Sequence, residues 1–107
     1  MNRYSKLVRD KIPEIILANG EKPKTKILSK EKYKLALLNK VVEEAKEVAG
    51  TKGKRNDLIK EVGDLEEVLM ALMDAYNISC KEIGVVRRKR KKERGGFSKR
   101  IFLESTT

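Results

Sequence analysis

The chain has 107 residues, no histidine, one cysteine and a formal net charge of +10. That length suits one domain, residues 1–107. The missing histidine excludes the Ser-His and Cys-His nucleophile pairs, the His-Glu-x-x-His zinc site and a histidine general base, while Cys80 alone cannot close an intramolecular disulfide. The charge is uneven: "RRKRKKER" (residues 87–94) has seven basic residues and one acidic, a net +6, which leaves +4 for the rest.

The apolar runs fall far short of the roughly 18 residues that cross a bilayer, and "MNRYSKLVRDK" lacks an apolar signal-type segment, so a soluble cytoplasmic protein is expected. A chain this short buries only about two-thirds of its unfolded surface when it folds alone. Oligomerisation is therefore expected to complete the fold.

The predicted elements follow in chain order. In "RDKIPEIILANGEKP" Asp10 can cap a short helix over 11–19, with Pro13 tolerated in its first turn and Gly20 as a left-handed stop. Ser29 is the candidate cap of a long helix over 30–49, ended by Gly50. After "GTKGKRN", Asn56 or a neighbour caps a second long helix over 57–76, with Asn77 at its end. "SCKE" (79–82) reads as a capping box opening a last helix that runs to Arg94, with Gly95 and Gly96 after it. "TKIL" (25–28) and the tail "FSKRIFLE" are rich in β-formers and could pair as a minor two-stranded element. The fold class is thus all-α, an antiparallel helical bundle with at most that β addition.

On the first long helix, a 100° advance per residue puts Tyr33, Leu37, Leu38, Val41, Val42, Ala45, Val48 and Ala49 on one apolar arc. Glu44 falls inside this arc, between Tyr33 and Leu37, and Glu47 lies at its border. On the second, Glu61 is flanked by Val68 and Leu72, and Asp64 by Ala71 and Ala75. Residues three apart are neighbours on a helix surface, so Glu44 with Glu47 and Glu61 with Asp64 form two carboxylate clamps. Burying an ionised carboxylate unpaired costs several kcal/mol, and gathering four adds repulsion. The compensating charge can come from lysine, with Lys40 four residues before Glu44, or from a divalent cation. Lys40 can serve only one clamp, and both helices carry the same anomaly. Oxygen-only ligands select Mg²⁺, with Mn²⁺ as a substitute, and Mg²⁺ on carboxylates completes its shell with water and substrate phosphates.

The order E-x-x-E, a gap, then E-x-x-D, written here as Glu44-Ala-Lys-Glu47 and Glu61-Val-Gly-Asp64, resembles the MazG-like all-α nucleotide pyrophosphohydrolases. The flanks "KLVRDKIPEII" and "ERGGFSKRIFLE" resemble its phosphoribosyl-ATP pyrophosphohydrolase-like, or house-cleaning, subgroup. The resemblance implies a homodimer or homotetramer that hydrolyses a nucleoside triphosphate between the α and β phosphates, giving monophosphate and pyrophosphate. It assigns Glu44, Glu47, Glu61 and Asp64 to Mg²⁺, one of the glutamates also activating water.

In the outer blocks Lys6, Arg9, Lys11, Lys99 and Arg100 are candidates for holding nucleotide phosphates, and Tyr33, Phe97 and Phe102 for stacking a base or packing at an interface. The rival function is a nucleic-acid-binding helical module that uses the run from Arg87 to Arg94 as a basic stripe. The run has no interleaved aromatics, and late lysines and arginines already suit a helix dipole, so nucleic acid is not the expected partner.

Overall fold

The computed structural model describes residues 5–107, which fall into a first unit ending at Asn77 and a second from Ile78 to Thr107. All regular structure among the described residues is helical: α1 (Ile12–Ala18), α2 (Lys30–Gly50), α3 (Arg55–Ala75) and α4 (Cys80–Arg94). The expected all-α class holds. The pairing of 25–28 with the tail does not form, since no strand occurs among the described residues. Ile27 and Phe97 are almost wholly exposed, and two lone strands with no apolar face to cover are marginal in water.

In the first unit α2 packs along α3, and the short turn at 51–54 makes the two an antiparallel hairpin. Ser29 starts α2 as expected, its side chain accepting from the Lys32 amide. At the other end Thr51, itself buried, donates its hydroxyl to the Val48 carbonyl at 2.8 Å and accepts from the Gly53 amide at 3.3 Å. That anchored turn, not Asn56, launches α3: Lys54 is the cap residue, in extended conformation and without a side-chain cap. Asp10 likewise does not cap α1. The turn there begins where the Ile12 amide donates to the Arg9 carbonyl, and Lys11 is the cap residue. Gly20, at φ +87°, takes the left-handed conformation expected after α1, and Asn77, just past the end of α3, is also left-handed at φ +55°.

The seam between α2 and α3 is narrow. Leu37 is 2% exposed, with Tyr33, Val41 and Val48 half-buried on α2 opposite Leu58, Leu65, Val68 and Leu72 on α3. Leu38 and Val42, on the far half of the α2 arc, are exposed, as are Val62 and Leu69 on α3. Near the open end of the hairpin the Lys34 ammonium stands 5.2 Å from the Tyr76 ring centroid, a cation–π contact between the two helices.

In the second unit α4 opens on the expected capping box. Ser79 accepts from the Glu82 amide at 3.1 Å, and the Glu82 carboxylate accepts from the Ser79 amide at 2.7 Å. The Ser79 backbone amide, aided by its hydroxyl, holds the Glu82 carboxyl below the usual carboxylate range, against a small opposing effect of burial. A depressed carboxyl stabilises the fold above its unfolded pKa and loses that contribution as pH falls through its folded value. Acidification from pH 6 to about 3 is therefore expected to fray the first turn of α4. Amide exchange at Ser79 and Glu82, corrected for intrinsic rates, should speed up; unchanged protection would contradict the box. The run 87–94 forms the exposed last two turns of α4, and Gly95, at φ +81°, follows it. Among the described residues no helix is long and apolar enough to cross a membrane.

Candidate functional site

Glu44 sits on α2 in the same stripe as Tyr33, Leu37 and Val48, while Glu61 and Asp64 sit on the facing stripe of α3 with Leu65 and Leu72. All three side chains are withdrawn from water, at 14%, 17% and 34% exposure respectively. One carboxylate oxygen from each converges, all within 4.8 Å of one another. Ligands on opposite sides of an octahedral Mg²⁺ stand about 4.2 Å apart, so a small side-chain adjustment lets the trio share one hard ion. The donor set fits such an ion: oxygen only, anionic, and drawn from two helices held by the seam.

Cations also approach. Lys40 lies 3.1 Å from Glu43 and 3.6 Å from Glu44, Lys60 is 3.6 Å from Glu61, and the Arg9 guanidinium donates to Asp64 at 2.9 Å. Lys6 reaches Glu43 at 3.7 Å. Each of Lys40, Lys60 and Arg9 meets one member of the trio. Lys60 and Arg9 are largely exposed, so their pairings are of the solvent-screened kind. Lysine compensation, one of the two routes open from the sequence, thus exists at Glu44 and, in screened form, at Glu61, but does not explain why three carboxylates point at one another.

Glu47 does not join the trio. It is exposed and lines an adjacent open hollow of about 220 Å³ with Gly50, Thr51, Asp57 and Glu61. Asp57 is the residue sequence reasoning missed. It lies four positions before Glu61 and so one turn away on the same face, a spacing that its place at the start of the predicted helix hides. Glu43, beside Glu44 on α2, is half-buried and receives both Lys40 and Lys6. Lys99 and Arg100 belong to the second unit, in a turn where the Arg100 amide donates to the Phe97 carbonyl.

No curated protein matches the chain, and no solved structure does. The model of the family described as phosphoribosyl-ATP pyrophosphohydrolase matches residues 4–90, which contain all of the acidic residues above and stop short of the "ERGGFSKRIFLE" block. With that match over most of its length, the chain belongs to the phosphoribosyl-ATP pyrophosphohydrolase family and is a nucleotide pyrophosphohydrolase.

Proposed function

We propose that the protein is a Mg²⁺-dependent nucleoside triphosphate pyrophosphohydrolase, acting in nucleotide-pool house-cleaning as a single-domain cytoplasmic enzyme. The observation that carries this reading is the convergence of Glu44, Glu61 and Asp64. The family is generally divalent-metal dependent, and the oxygen-only donor set favours Mg²⁺, with Mn²⁺ able to replace it. Glu44, Glu61 and Asp64 would hold the ion, and Glu47 would contribute from the neighbouring hollow through its shared border with Glu61. When bound, such an ion neutralises charge on the phosphate oxygens and lowers the pKa of a coordinated water.

The chain's own groups do the rest. One of the glutamates would orient a water molecule and take its proton as the water oxygen attacks the α phosphorus. The bond from that phosphorus to the oxygen bridging α and β breaks, and pyrophosphate leaves with the electron pair. Lys6 and Arg9 are proposed to hold phosphate oxygens, Arg9 through the forked guanidinium that matches them, and Lys99 and Arg100 are proposed as phosphate-binding residues of the second unit. Exposed Leu38 and Val42 on α2, with Val62 and Leu69 on α3, support assembly as a homodimer or homotetramer.

A pyrophosphate-release screen tests the reading, run across nucleoside triphosphates and phosphoribosyl-ATP with Mg²⁺, Mn²⁺ or chelator. Turnover of a nucleoside triphosphate is expected with either metal and none with chelator. A folded protein that turns over nothing in Mg²⁺ would refute the proposal, and exclusive turnover of phosphoribosyl-ATP would replace its substrate.

A further inference from the structure

We infer that Arg9 is a counter-ion that changes partners: it neutralises Asp64 while the trio lacks a dication, and is handed to substrate phosphate once the trio is loaded. The inference rests on the metal-binding reading of Glu44, Glu61 and Asp64 proposed above.

Arg9 lies in the non-helical segment before α1, far from α3 in sequence, yet its Nη2 donates to Asp64 Oδ1 at 2.9 Å. From the same segment Lys6 reaches Glu43, the α2 neighbour of Glu44. The segment thus sets one cation against each helix at the acidic edge. This contact falls on an oxygen of a carboxylate that offers one oxygen to the converging trio.

A guanidinium and a dication on one carboxylate repel each other, by an amount that solvent reduces at this exposed edge and that an anion standing between them removes. Polyphosphate is such an anion. The Arg9 side chain is 60% exposed, so it can swing without unpacking anything, and its planar fork matches two phosphate oxygens as well as it matches a carboxylate. Releasing Asp64 and gaining phosphate are then one movement. The arrangement ties ordered binding of metal and substrate to a single side chain.

The full-length protein and Arg9→Gln are titrated by calorimetry, first with MgCl₂ alone and then, at saturating Mg²⁺, with inorganic pyrophosphate. Losing a screened competitor should tighten Mg²⁺ binding about two- to fivefold. Losing a charge-assisted fork should weaken pyrophosphate binding about tenfold. A merely structural arginine would weaken both. Unchanged or weaker Mg²⁺ binding by Arg9→Gln overturns the exchange, as does unchanged pyrophosphate binding. If Arg9→Gln does not fold, Arg9→Lys carries the test: Mg²⁺ affinity within about twofold of wild type, with pyrophosphate weakened by loss of the fork. Unweakened pyrophosphate binding by Arg9→Lys then overturns the inference. If the unmutated protein binds no Mg²⁺, the carboxylate reading itself fails and takes the exchange with it.

Discussion

Glu61→Gln is expected to reduce pyrophosphate release by at least about a thousandfold while leaving the protein folded. The estimate follows from the several kcal/mol of charge stabilisation a catalytic metal supplies, at about tenfold per 1.4 kcal/mol. Glu61 is the residue common to the converging trio and to the hollow lined by Glu47 and Asp57, so both acidic groupings lose a member at once. The sign of the stability change separates this explanation from a packing defect. Glutamine has nearly the same shape, and it removes one of three like charges held within 4.8 Å. Without added metal the variant should therefore melt at the same temperature as wild type or higher. On the proposed metal reading Mg²⁺ should raise the melting temperature of the wild type, and that rise should shrink or vanish in the variant. Turnover within tenfold of wild type would show that the convergence has no catalytic meaning. A melting temperature lowered in the absence of metal would show Glu61 to be a structural partner instead.

Leu37→Ala should cost about 2–5 kcal/mol of folding stability, because a large side chain deleted from a closed site leaves a cavity as well as losing its transfer energy. Among the described residues Leu37 is the one large side chain that is fully buried, at the centre of a seam whose other members are only half-covered. Few neighbours can share the loss. For a domain of this size each kcal/mol moves the melting temperature by about 4–8 °C, so a fall of about 8 °C or more is expected in thermal unfolding. Leu35→Ala is the control: that leucine is 62% exposed on the opposite side of α2, and its truncation should stay within about 0.5 kcal/mol. A Leu37→Ala cost as small as the control's would mean that the α2–α3 seam does not hold the site together.

How much of this was legible in the sequence depended on whether the signal was local. The four helices were, because periodicity, Ser29, the Ser79–Glu82 box and Gly20 each act within a turn or two of themselves. Their starts were less so where an irregular turn just upstream supplied the anchor: Asp10 and Asn56 are competent caps, but the Arg9 turn and the Thr51 turn begin the helices elsewhere. The acidic trio could be read from helical angles alone, since Glu44, Glu61 and Asp64 lie among apolar neighbours. Glu47 could not be decided that way, because a border position can face either the seam or the hollow. The reach of Arg9 to Asp64 was not legible at all. It joins an irregular segment to a distant helix, and no periodicity encodes such a contact.

The turn at 51–54 also bears on the order of assembly. Glu44, Glu61 and Asp64 belong to one αα-hairpin, so bringing them together requires closing only a short loop, at small entropic cost. Local contacts of this kind form quickly. The acidic trio should therefore exist as soon as the hairpin zips shut, before the N-terminal segment has delivered Arg9. During that interval its mutual repulsion is opposed only by nearby lysines, so dissolved Mg²⁺ should speed refolding as well as catalysis.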